Sequence, residues 1–336
     1  MRKVEGSGRQ TLIAVGASVI SALLATGITL RVQRLLAAPR DLRHVGLLLP
    51  ITVYNGHMLK LGRVFVPRGD TMLDDPMVRQ VDIPGGLDGF VHDPPWRHKP
   101  GGAVLWLHGG GLIAGKPELE QITAHTIANE LGVLVLNARY RLAPEHPFPA
   151  ASDDVFAALR WLHDNAADLG IDPDRIAVAG ESAGAGLAAA VAQRAYDEGL
   201  PVAFQALVYP MLDDRTALAT DHEGRGAVIW TPPSNRFAWT AYLGHPPSED
   251  PPPPYAAAGR REDLRGLAPA WIGVGDRDLF YAEDIAYAGR LADAGVPVDV
   301  LVEPGMYHGA DELASHVPRM RAFREAMREA LRRAIG

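Results

Sequence analysis

The stretch AVAGESAGAGLAAA, residues 177–190, decides how this chain folds. Just ahead of it, RIAVAG (175–180) is a short apolar run of strand type. Behind it, SAGAGLAAAVAQRAYDEG (182–199) has the alanine-rich composition of a helix. Between the two sits the pattern G-x-S-x-G: Gly180, Glu181, Ser182, Ala183, Gly184. A serine that must stand clear of a sheet edge needs a sharp strand-to-helix turn. Such a turn crowds the positions two before and two after it against neighbouring main chain, and glycine there removes the clash. Ala183, Ala185 and Gly186 let the helix begin close to the strand. The free N–H groups and the dipole at a helix start favour negative charge at the serine, so the Ala183 N–H is a natural oxyanion donor. A small-residue helix packed on a sheet, with an incidental serine, would read the same way locally. The rest of the chain must decide.

Working outward, short apolar runs alternate with amphipathic ones. AVLWLHGGG (103–111), VLVLNARY (133–140), AFQALVYP (203–210), APAWIGVGDRD (268–278) and VPVDVLVEPG (296–305) read as buried strands. ELEQITAHTIANELG (118–132), SDDVFAALRWLHDNAADLG (152–170, N-capped by Ser152), EDIAYAGRLADAG (283–295) and PRMRAFREAMREALRRAIG (318–336) read as helices. Strand and helix alternating over short connections predict a mostly parallel sheet covered on both faces. The alternation breaks once, at about 211–265, in a Pro-, Asp- and Arg-rich segment carrying Trp230, Trp239, Tyr242 and Tyr255. A segment that long between strands is usually functional. It is expected to lie over the sheet as a cap, joined by part of 31–80. Residues 31–100 otherwise read as irregular, with a trimmed sheet edge before 103.

HGGG at 108–111 closes the first strong strand. Three glycines in a row cost conformational entropy, but they let successive N–H groups converge on one anion. Gly110 and Gly111 are the expected donors, Gly109 the turn, and His108 a residue that orders the loop. A serine hydroxyl needs a base. The candidate is His308 in EPGMYHGAD, after the last strand, with Asp276 or Asp278 as the acid before it. The order serine, aspartate, histidine is that of a strand–turn–helix nucleophile fold. The other eleven histidines lack this placement and show no metal-ligand spacing. Asp153–Asp154 and Asp213–Asp214 read as capping or loop-binding pairs.

Composition bounds the alternatives. The 336 residues carry a net charge of −7 and no basic stripe, which argues against nucleic acid as a partner. There is no cysteine, which rules out disulfides, thiolate metal sites and a cysteine nucleophile. TLIAVGASVISALLATGITL (11–30) is a charge-free run of 20 residues, about enough to cross ~30 Å of hydrocarbon. Three readings stand for it: a membrane anchor, a cleaved secretory signal, or a helix packed on the domain. They imply membrane-associated, secreted or periplasmic, and cytoplasmic residence respectively. The domain plan is a segment 1–40 with this run, then a catalytic domain 41–336. Oligomeric state is not encoded legibly, and a homo-oligomer is one option.

Taken together, HGGG (108–111), ARYRLAPEHPFPAASDD (138–154), GESAG (180–184), LVYPMLDD (207–214), GVGDRDLFYAEDIAYA (273–288) and YHG (307–309) resemble the hormone-sensitive-lipase-like branch of the α/β-hydrolases. That branch includes bacterial carboxylesterases and arylacetamide deacetylases. The resemblance runs from about 100 to 325. It implies Ser182 as nucleophile and His308 as base. It favours Asp278, followed by Leu279, Phe280 and Glu283, over Asp276. It implies hydrolysis of short- to medium-chain carboxylic esters through an acyl-enzyme, with no metal or cofactor. An amide or N-acetyl hydrolase using the same triad is the alternative. A non-catalytic ligand-binding protein on this fold is a distant one, set against the presence of all three triad members.

Overall fold

The computed structural model describes residues 29, 32, 33, 35–48, 52–65 and 75–336, so the apolar run at 11–30 lies outside it but for Thr29. Eight strands form one sheet: β1 (Val78–Ile83), β2 (Leu87–His92), β3 (Gly101–Leu107), β4 (Leu134–Ala138), β5 (Ile171–Glu181), β6 (Phe204–Val208), β7 (Ala270–Gly275) and β8 (Val298–Glu303). Their order is β1-β2-β4-β3-β5-β6-β7-β8. From β4 to β8 all neighbours are parallel. The expected six-strand parallel core is present, but the trimmed edge is not. Residues 78–92 form an antiparallel hairpin that pairs with β4 through β2. VRQVDI is polar because β1 is an edge strand with several exposed residues, whereas LDGFVH is buried over its last four residues but has its apolar run broken by Asp88, Gly89 and His92.

Alternation along the central strands divides the core into two. Leu105, Leu107, Leu134, Leu136 and Val178 face helices Ala150–Asp164 and Ala183–Asp197. Val104, Trp106, Val135, Ala177 and Ala179 face Gln121–Leu131 and Pro318–Ile335. Because both faces are covered, the strands are buried end to end and read as continuous apolar runs.

The helix expected from Ser152 starts instead at Ala150, with Pro149 in the cap position, and Ser152 lies buried in its first turn. Proline suits a helix start, since its missing N–H would be unpaired there anyway. The same helix ends at Asp164. A second short helix, Ala166–Leu169, completes the stretch to Gly170, whose φ of 60° terminates it.

The insertion leaves the sheet after β6 and returns at β7. Its helix, Pro232–Leu243, carries the buried Trp239 and Tyr242. The Tyr242 carbonyl accepts from Phe148 N, and Glu283 Oε1 accepts from Leu212 N at 2.7 Å, which pins the segment's first residues to the next helix. The N-terminal region does join it: Val53 N donates to Ser234 Oγ at 3.0 Å. On the helix Gly56–Phe65, Arg63 donates to the carbonyls of Ile113 and Ala143.

Two buried histidines make the fold acid-sensitive. His92 on β2 and His108 after β3 are both pushed down to about 4, in each case chiefly by burial. A folded-state value below the unfolded one of ~6.5 means the unfolded chain binds more protons between the two. Stability is therefore intact above about pH 6.5 and lost as pH falls toward 4, by on the order of 2 kcal/mol per histidine at pH 5. Urea midpoints at pH 7 and pH 5 check this. The drop between them should shrink by about that amount in His92→Gln, and an unchanged drop would refute the assignment.

Candidate active site

Ser182 sits between β5 and the helix Ala183–Asp197, with φ 54° and ψ −121°. A non-glycine residue rarely adopts positive φ, and holding one there costs about 1–3 kcal/mol. The surroundings enforce it. The Ser182 N–H donates to the Val208 carbonyl at 2.8 Å, and the Ser182 carbonyl accepts from Met211 N and Gly186 N, both at 3.0 Å. The turn is thus locked to the end of β6. The small residues have the crowded role that the sequence suggested. A β-carbon on Gly180 would lie 2.5 Å from the Leu107 carbonyl oxygen, and one on Gly184 only 2.1 Å from it. The elbow is pressed onto the end of β3, and that leaves no volume for side chains.

Three residues far apart in sequence meet at the elbow. His308 Nε2 lies 2.9 Å from Ser182 Oγ, and His308 Nδ1 lies 2.8 Å from Asp278 Oδ2. All three are buried: Ser182 is 5% exposed, His308 6% and Asp278 0%. The second carboxylate oxygen, Asp278 Oδ1, accepts from Phe280 N at 3.0 Å, which fixes the plane of the group. Asp276 faces elsewhere and accepts from Gly305 N. It braces the loop that carries His308. Tyr209 and Phe280 pack on the imidazole, with ring centroids 4.6 Å and 5.3 Å away.

The glycine loop follows β3. Positive φ falls at Gly110 (118°) and Gly111 (64°), whereas Gly109 has none, so the turn is made by the later two glycines rather than by Gly109. The Gly110 carbonyl accepts from Ile113 N and Ala114 N, which closes the turn. Among the described residues no hydrogen bond uses the N–H groups of Gly110, Gly111 or Ala183. His108 is buried, stacks on Tyr140 with centroids 4.1 Å apart, and places Nδ1 2.8 Å from the Gly109 carbonyl. Its value near 4 keeps it neutral, in keeping with a residue that orders the loop.

Behind the elbow lies a buried ionic cluster. Arg324, from the C-terminal helix, bonds Glu181 Oε2 at 2.8 Å, Tyr209 Oη at 3.2 Å, and Asp311. Carboxylate oxygens of Glu120, Glu181 and Glu312 lie within 4.8 Å of one another. Burial raises Glu120, and the Glu181 charge adds to it. Glu312 is raised by Glu181 first and by burial second. Burial would raise Glu181 too, but Arg324 and hydrogen bonds from its neighbours leave it below the usual carboxylate range. The Arg324 guanidinium thus favours the ionised form of Glu181, while Glu120 and Glu312 are biased toward their neutral forms. The cluster ties the elbow (Glu181) to the loop after His308 (Asp311, Glu312) and to the start of the helix after the glycine loop (Glu120).

A profile of the α/β-hydrolase fold matches residues 104–311, more than half of the chain. The chain belongs to the α/β-hydrolase family. It is 38% identical to the carboxylesterase NlhH of Mycobacterium tuberculosis over 255 residues, which is 72% of this chain and 79% of the relative. It is 40% identical to the esterase LipI of the same organism, covering 72% and 78%. A bacterial heroin esterase of known structure superimposes with a TM-score of 0.80 at 33% identity, over 90% of this chain and 99% of that one. These relatives put the hydrolase in the hormone-sensitive-lipase-like branch that its motifs resemble.

Several parts of this hydrolase's site escaped the sequence reading. Arg324 carries one legible signal, a charge on the apolar stripe Met320, Phe323, Met327, Leu331 of its helix. Glu120, Asp311 and Tyr209 carry none, since each becomes informative only once its partner is placed. Trp230 appeared only as one aromatic among four.

Proposed function

We propose that this chain hydrolyses carboxylic esters through an acyl-enzyme formed on Ser182. The observation that carries the proposal is the unbroken chain Ser182 Oγ–His308 Nε2 and His308 Nδ1–Asp278 Oδ2, buried at a strained strand-to-helix turn. The family and its esterase relatives agree with it.

The chemistry follows from the geometry. Asp278 holds the Nδ1–H tautomer, which leaves Nε2 with a lone pair toward Ser182 Oγ. As Oγ attacks the ester carbonyl carbon, its proton moves to Nε2, and the buried carboxylate stabilises the imidazolium. Negative charge on the carbonyl oxygen meets the N–H groups of Gly110, Gly111 and Ala183. The Ala183 amide sits at the positive end of a 15-residue helix, which favours negative charge there. The imidazolium then gives its proton to the departing alkoxide. Water, deprotonated by His308, cleaves the Ser182 ester in a second passage through the same states. Low exposure of the triad strengthens each of these interactions relative to water.

The direct test is labelling by an organophosphate. We expect stoichiometric loss of nitrophenyl acetate hydrolysis with the phosphoryl group on Ser182, found by peptide mass analysis. A label on another serine, or full activity after treatment, would refute the proposal.

A further inference from the structure

We propose that Trp230 limits the length of the acyl group this enzyme accepts, confining it to esters of short-chain acids. The inference rests on the ester-hydrolase reading above and adds to it the residue that sets the acyl-length limit. Trp230 belongs to the insertion, immediately before the helix Pro232–Leu243. The six-membered edge of its indole rests on the glycine loop: a β-carbon on Gly111 would lie 2.1 Å from Trp230 Cη2. The indole centroid lies 6.3 Å from the His308 ring, with the planes tilted by 38°. Its neighbour Ile229, at φ 59°, comes within 3.9 Å of the β-carbon position on Gly309, next to the base. The two residues therefore bridge the space from the oxyanion glycines to the histidine loop.

The indole is held in place. Its Nε1 donates to Asn235 Oδ1 at 3.2 Å, and Asn235 is fully buried. Thr231 Oγ1 and Ser234 Oγ lie 3.1 Å apart, and Ser234 also accepts from Val53 N, so the chain that follows the indole is fixed. An indole braced in this way is a wall and does not behave as a mobile gate.

A reacting carbonyl carbon must come within about 3–3.5 Å of Ser182 Oγ, with its oxygen on the glycine amides. The alcohol has only to reach His308 Nε2, and it then leaves. The acyl group stays bonded to Ser182 through both steps, so it must fit beneath whatever covers Gly111. Trp230 is what covers Gly111, so the indole sets how far that group can extend.

The test uses the full chain and p-nitrophenyl acetate, butyrate, octanoate and dodecanoate, reading kcat/KM for wild type, Trp230→Ala, Trp230→Leu and Trp230→Phe. Wild type should lose about tenfold or more between butyrate and octanoate. Trp230→Ala and Trp230→Leu should raise the octanoate-to-acetate ratio by about tenfold or more, and Trp230→Phe should stay near wild type. A second series, with the acetyl group fixed and the alcohol enlarged, should keep its ratio across the variants. The proposal is overturned if wild type cleaves octanoate as well as acetate, a result that needs no variant to fold. It is also overturned if the ratio is unmoved in folded Ala and Leu variants, or if only the alcohol series responds. Failure of wild type on every ester, with Ser182 unlabelled by organophosphate, would sink the functional reading itself. Equal cleavage of all chain lengths would sink only the role of Trp230.

Discussion

Ser182→Ala should lower kcat for nitrophenyl acetate by on the order of 10⁶, about 8 kcal/mol of transition-state stabilisation, while leaving the protein folded. The hydroxyl is the only atom removed. The oxyanion amides and the elbow stay, so some rate above the uncatalysed reaction should survive. Fold is retained because what holds the turn is main chain: Ser182 N to the Val208 carbonyl, and the Ser182 carbonyl to Met211 N and Gly186 N. Alanine keeps its β-carbon, so the strain of φ 54° persists and stability should change little. Glycine at the same position has no β-carbon to strain. Ser182→Gly should be equally inactive yet more stable to urea by about 1 kcal/mol, because the backbone conformation costs glycine little. Steady-state kinetics and urea midpoints on both variants check the pair. Activity in Ser182→Ala within tenfold of wild type would remove Ser182 from the mechanism. A less stable glycine variant would show that the elbow is not strained in the way its dihedrals indicate.

Asp278→Asn should cost about 10⁴ in kcat, by a route that the hydrogen bonds specify. In the wild type, Oδ1 accepts from Phe280 N and Oδ2 faces His308 Nδ1. An asparagine side chain has one oxygen and one NH₂. Phe280 N–H can be satisfied only by the oxygen, so the NH₂ is turned toward Nδ1. Nδ1 must then accept, the ring proton moves to Nε2, and Nε2 can no longer take a proton from Ser182 Oγ. The geometry stays while the tautomer inverts, so kcat should fall much further than KM shifts. Asp276→Asn is the control. Its carboxylate accepts from Gly305 N, a contact that an amide oxygen can keep, so activity should remain within a few fold. If the two variants exchanged effects, Asp276 would be the acid.

That pair also marks the limit of what one-dimensional reasoning could reach. Asp276 and Asp278 follow the same strand two residues apart, and residue type alone does not separate them. Resemblance favoured Asp278. What separates them physically is the path of the chain after β7, which turns one carboxylate toward the loop after β8 and the other toward its start at Gly305. The glycine loop gives a similar lesson. Its composition pointed to converging amides, yet the positive φ angles sit at Gly110 and Gly111, one residue later than the assigned turn.

From sequence alone came the parallel core, the elbow at 180–184, the glycine loop at 108–111, and a serine–aspartate–histidine order. Each is a local property, written in the apolar period, in the removal of side-chain volume, or in chain order. Left to tertiary structure were the edge hairpin at 78–92, the cluster around Arg324, and the place of Trp230 on Gly111. The hairpin is held in the sheet by β4, tens of positions further on, and the other two rest on pairs over a hundred positions apart, Arg324 with Glu181 and Trp230 with Gly111. A side chain's neighbours across such distances are set only when the sheet and its insertion close around it.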